Sequence, residues 1–280
     1  MISIPVVVHN DYFKWQLDLF WYSQQQVYGG RARGVTLAAV VKRNFRHEPV
    51  QETMAWGLDI PHVMCDAYFD YLGWDGPTDM VQTPLNIQTA LAQILPGLDD
   101  DEIIEVLDGD MFHMRKAPKT RIPHGELHVD DVYEWWHFKS LSDNRHVIAP
   151  YFANGGRFYN GGFVPILGTV KTFRRILPEW TAVHRHILTV PYTGHIHWWA
   201  GMFGLQAACE KAKVRMIAKD YCYVPGVNKL QRSHYAAHYA VDTKFSKRTF
   251  PKVDVGVFDN NVFYRRINSW LRSKDGSNSV

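Results

Sequence analysis

Short apolar runs recur along this chain, and amphipathic stretches separate them. Residues 4–9, IPVVVH, are apolar at successive positions, as in a strand buried on both faces. In residues 10–29, NDYFKWQLDLFWYSQQQVYG, Leu17, Phe20, Trp21 and Gln24 fall on one side of a helix, and Gly29-Gly30 ends it. GVTLAAVVKRN, 34–44, predicts a second strand, so the opening reads β-α-β. Residues 45–82 carry Pro49, Pro61 and Pro77 and little periodicity. They predict loops, one short strand around HVMCDAYF and a turn at Asp75-Gly76-Pro77. PLNIQTALAQIL, 84–95, predicts a helix with Pro84 at its start and Ile87, Leu91, Ile94 and Leu95 on one face. IIEVLDGDMFHM, 103–114, is a buried strand that leaves its sheet at two aspartates.

Later, TVKTFRRILPEWTAVHRHIL predicts a helix broken at Pro178, and HWWAGMFGLQAACEKAKV a second helix with Phe203, Ala207 and Glu210 in register. NGGRFYNGGFVPILG is rich in glycine but lacks the spacing of a phosphate loop. VRMIAKDYCYVPG and SHYAAHYAVDTKFSK read as a strand pair, with His234 and His238 on the same side of the second. FYRRINSWL is a short amphipathic helix ahead of a polar end.

Composition narrows the class. With 280 residues, 46% of them hydrophobic, the chain fits one large domain. Residues 1–114 read as a nucleotide-binding half, 115–253 as an acceptor half with a closing strand, and 254–280 as a helix and tail. A formal charge of +3 permits a polyanionic partner without requiring one. Cys65, Cys209 and Cys222 follow no disulfide pattern, and the start of the chain has no leader pattern, so a cytoplasmic protein is expected. No apolar stretch reaches the roughly 18 residues of a membrane span. Fourteen histidines include the pairs His184/His186 and His195/His197, but neither pair has a matching second half for zinc.

Asp108-Gly109-Asp110 carries the chemistry. Two carboxylates separated by one small residue can turn toward one hard cation, which keeps open positions for phosphate oxygens. Open α/β sheets bind ligands where such strands end. Asp99 and Asp101 repeat the spacing in an acidic loop and read as solvated. His9, Asn10, Lys42 and Arg43 also fall near strand ends and are candidate ligand contacts. Of Trp135 and Trp136, which alternate faces on a strand, one reads as core and the other as an exposed aromatic, at a plain interface or as a ligand contact.

The order of these pieces resembles a family. A first strand followed by YFKWQLDLFWYSQQQ, then TPLNIQTALAQIL, acids, EIIEVLDGDMF and Pro118, then GGFVPILGTVKTFRRILPEW, and last HYAVDTKF at 238–245 are in the family's order. Together they are similar to the GT-A glycosyltransferases of the hydroxyproline O-arabinosyltransferase and peptidyl-serine galactosyltransferase type, over roughly residues 4–250. The resemblance implies a GT-A fold, a mixed central sheet flanked by helices, and a UDP-sugar donor. It implies Mn²⁺ or Mg²⁺ held by Asp108, Asp110 and His238, donor contacts from Gly109 and Lys244, and transfer with retention. Three departures stand out: Gly109 where the family has Pro or Ala, Gly201 where it has a glutamate, and no secretory anchor.

The expected enzyme is therefore a metal-dependent glycosyltransferase moving a pentose such as arabinose, or a hexose, to a hydroxyl. For a cytoplasmic, mildly basic enzyme the leading acceptor is a hydroxymethylated pyrimidine in DNA, as in virus-encoded DNA modification. A protein or peptide hydroxyl is the alternative, and a GT-A-like binding domain without turnover is a third reading. No membrane partner is expected.

Overall fold

Continuous apolar runs become parallel strands because helices cover both faces of the sheet they form. A computed structural model describes residues 1–76, 83–130, 146, 149–151, 163–190, 200–225, 228–239 and 262–275. The first four strands are β1 (Ile2–Val8), β2 (Ala38–Val41), β3 (His62–Cys65) and β4 (Ile103–Asp108). Helix α1 (Asp11–Tyr28) joins β1 to β2, and its predicted face is buried at Leu17, Phe20, Trp21 and Gln24. Asn10 caps it by accepting from the Phe13 amide, and Gly29 ends it at a φ of 59° that favours glycine. The short α2 (Tyr68–Tyr71) and α3 (Leu85–Ile94) lie between β3 and β4.

The run 103–114 does not form one strand. It leaves the sheet at Asp108, turns at Gly109-Asp110 and starts β5 (Met111–His113) in a second sheet. After β6 (Glu126–Asp130) and β7 (Phe163–Thr169), helices α4 (Val170–Thr189) and α5 (Ala200–Ala212) pack against each other. The predicted break at Pro178 is absent: α4 runs through it. Pro178 and Arg174 both lie on the exposed face, so water can reach the carbonyl that lacks its amide partner. The buried face, with Phe173, Trp180 and Ile187, continues unbroken. Glu210, expected in the buried register of α5, is exposed.

Next come β8 (Arg215–Lys219), β9 (Cys222–Tyr223), β10 (Ala236–His238) and α6 (Val262–Asp275). The main sheet has seven strands in the order β3-β2-β1-β4-β7-β6-β8. Only β7 runs against the others, so β1, β2, β3, β4, β6 and β8 all end at one edge. The chain walks outward from β1 to β3 and then returns to place β4 on the other side of β1. The crevice between the ends of β1 and β4 is therefore a topological switch point.

The second sheet has the order β5-β10-β9, where the sequence suggested a simple strand pair. Its outer face joins Leu19, Phe112, Tyr239, Phe263, Ile267 and Trp270 in a separate apolar cluster that seats α6 on α1. Trp270 Nε1 donates to Asp18 at 3.2 Å, and Lys274 pairs with the same carboxylate at 2.6 Å. Among the described residues no helix is long and apolar enough to cross a membrane. Trp135, Trp136, the glycine-rich stretch through Gly162, His195, His197 and Lys244 lie outside the described residues.

Candidate metal centre

Strand pairing assembles the centre. Asp108 ends β4 at the register position beside Val6 of β1, and Asp110 follows in the turn just ahead of β5. Antiparallel pairing sets His238 of β10 opposite Met111, and the Tyr239 amide donates to the Asp110 carbonyl at 3.2 Å. A ligand from the far end of the chain thereby reaches the turn. One ligand atom from each of Asp108, Asp110 and His238 lies within 4.8 Å of the other two, and His238 Nε2 is 3.0 Å from Asp110 Oδ1. Among the described residues no other such group forms.

A divalent ion fits these donors. Two carboxylates held this close repel each other, and an ion supplies the opposing charge. Oxygen-rich sets with one imidazole suit hard or borderline cations. Solvent reaches little of the group, since Asp110 is 9% and His238 5% exposed, so charges there are weakly screened.

Asp130 stands nearby. It ends β6 where the β6–β7 register shifts, and one carboxylate oxygen accepts from the amides of Tyr221 and Cys222, both at 2.9 Å. Burial pushes its carboxyl up to about 7 against those two hydrogen bonds, with the Asp220 charge raising it further and His238 drawing it down. Burial likewise pushes the Cys222 thiol well above its usual range, with Asp130 and Asp110 adding to the effect. Cys65 and Cys209 are pushed up to about 12 by burial, so none of the three thiols is poised as a nucleophile.

The other predicted contacts sit at or near this edge in defined roles. His9 stacks on Trp56 with centroids 4.5 Å apart, and burial lowers its pKa. Asn10 serves as the α1 cap. Lys42 lies 3.0 Å from Asp66 and 3.3 Å from Glu52. Arg43 forks onto Asp70 at 2.5 and 3.0 Å and lies over the Phe69 ring. The charges of Lys42 and Arg43 are thus matched by acids from the loop-rich region 45–70. His234, read on the same side of the segment as His238, pairs with Asp220 at 2.6 Å.

Side chains crowd both Gly109 and Gly201. A Cβ on Gly109 would come 2.9 Å from Phe13 Cδ1 and 3.0 Å from Val7 Cγ1. Phe13 from the first turn of α1 has taken the place where a side chain would stand. Gly109→Ala should therefore lower stability by about 1–3 kcal/mol, the range for overpacking, as a thermal melt would register. An unchanged melting temperature would show that Phe13 moves aside freely. Gly201 lies where α5 meets α4: its carbonyl accepts from Trp180 Nε1 at 2.7 Å, and a Cβ would come 3.3 Å from His184 Cε1. A side chain there would need His184 to give by a few tenths of an ångström.

Sequence reasoning missed Trp56, Asp130 as a neighbour of the centre, and Glu105. Glu105 left a signal, an acid inside an otherwise apolar run. Trp56 left none, since its loop has no period. No family model matches the chain, and no curated protein is significantly similar to it.

Proposed function

We propose that this chain is a metal-dependent glycosyltransferase of the GT-A type that moves a sugar from a UDP-sugar to a hydroxyl acceptor. The observation that carries the reading is the convergence of Asp108, Asp110 and His238 at the switch point of a mixed α/β sheet. That is where such sheets take nucleotides. In this reading Asp108, Asp110 and His238 would hold Mn²⁺ or Mg²⁺, which would supply positive charge to a departing diphosphate. The resemblance also assigns the diphosphate a positive charge from Lys244, which lies outside the described residues. His9 and Asn10, which follow β1, border the crevice from the other side.

For the acceptor, a hydroxymethylated pyrimidine in DNA stays the leading reading, supported by exposed cationic side chains in the loops after β5 and before β10. These are Lys116, Lys119, Arg121, Lys229 and Arg232, and Arg115 ties the two loops together through the carbonyls of Gln231 and Arg232. DNA binding through them should fall steeply with salt.

Incubation with candidate UDP-sugars and hydroxymethylated DNA tests the activity. UDP should be released with Mn²⁺ and not with a chelator. No release with any donor under either condition would leave a binding domain without turnover.

A further inference from the structure

Each of the three metal-binding residues stands three positions from a member of one buried polar cluster: Glu105 before Asp108, His113 after Asp110 and Tyr235 before His238. Glu105 and His113 are fully buried and Tyr235 is 3% exposed. Glu105 Oε1 accepts from Tyr235 Oη at 2.7 Å, and its Oε2 accepts from Ser3 Oγ of β1 at 2.6 Å. His113 Nε2 meets the same carboxylate at 3.0 Å, its Nδ1 meets Gln24 Nε2 at 3.0 Å, and its backbone amide donates to Ser23 Oγ at 3.1 Å. His113 and these donors hold the Glu105 carboxyl below its usual range despite its burial.

We propose that this cluster is a positioning device for the metal centre, fixing where the three ligand side chains meet; the inference rests on the metal-binding reading above. The physical need is register. β10 pairs with β5 over three residues and with β9 over two, and ladders that short are weak by themselves. A slip of one residue would turn His238 to the opposite face and empty its place beside Asp110. The Tyr235–Glu105 bond blocks that slip by joining the segment ahead of β10 to the main sheet. The His113–Glu105 contact does the same for β5, and Gln24 and Ser23 fasten β5 to α1. Three extended residues, about 10 Å, separate the clamp from the centre. Stability is a poor reason for such a cluster, because well-packed apolar replacements of buried ionic groups are often neutral or stabilising. Glu105 and His113 are closed off from solvent, which fits a positioning role and not contact with a substrate.

The test compares Mn²⁺ binding, by calorimetry and by the electron paramagnetic resonance line shape, in the full chain and in Tyr235→Phe. Val183→Ala, a core change in α4 away from both clusters, serves as the control for lost stability, and all are measured at a temperature where circular dichroism shows them folded. Tyr235→Phe should weaken Mn²⁺ binding about 10–100-fold and change the line shape, while Val183→Ala changes neither. Ser3→Ala, which removes one donor to Glu105, should weaken binding in the same direction and carries the test where Tyr235→Phe does not fold. Wild-type affinity in folded Tyr235→Phe or, in that case, Ser3→Ala overturns the positioning role alone. Absence of Mn²⁺ binding by the parent chain overturns the metal reading and this inference with it.

Discussion

If the chain is the proposed glycosyltransferase, Asp110→Ala should abolish metal-dependent transfer and leave the fold intact. The Asp110 carboxylate is one of three side chains in the centre, whereas its backbone carbonyl, which accepts from Tyr239, survives the substitution. The β5–β10 ladder therefore keeps its register. Relief of repulsion from Asp108 opposes the loss of the His238 contact in the metal-free chain, so its melting temperature should change little. On the proposed function, losing a ligand would loosen the hold on the metal, and turnover should drop by about 10³-fold or more, at the upper end for a lost electrostatic contact. Sugar transfer and a thermal melt on the same sample check both halves. A folded Asp110→Ala enzyme with parental turnover would make Asp110 a turn residue, and a chain that fails to fold would make it structural.

The second large effect is in stability against pH. The folded chain keeps the Asp130 proton up to about pH 7, while the unfolded chain releases it near its ordinary value of about 4. Across that interval the unfolded state binds fewer protons, so Asp130 makes the folded state progressively less stable as pH rises, and the loss is complete above about 7. An asparagine in its place would keep an oxygen for the Tyr221 and Cys222 amides and carry no charge. Asp130→Asn should therefore match the parent below about pH 4 and exceed it at pH 8 by a few kcal/mol, on the order implied by a shift of roughly three units. Urea denaturation in chelator at several pH values measures the difference, in which other titrating groups cancel. A constant offset from pH 4 to 8 would mean that Asp130 ionises in the folded chain as it does in water.

Local pattern carried the first half of the fold. The buried runs at 2–8 and 103–108, the capped helix from Asp11 and the helix after Pro84 were legible because both faces or one stripe are apolar without interruption. Asp108 and Asp110 were legible because they end such a run. His238 was reached only through resemblance: its place beside Asp110 depends on pairing between β5 and β10, which no local period encodes. The same limit hid the division of 103–114 between two sheets. Pro178 misled because the propensity rule ignores that its exposed side tolerates the lost hydrogen bond while the buried stripe holds α4 together. Lys42 and Arg43 looked available for a ligand because the acids that meet them, Glu52, Asp66 and Asp70, come from a stretch without periodicity.

Metal-dependent donor binding is the claim on which the mechanism stands. Calorimetric titration of the full chain with UDP, once with Mn²⁺ and once with chelator, tests it most directly. The account predicts saturable binding with Mn²⁺ and none with chelator; equal affinity in the two conditions would contradict it.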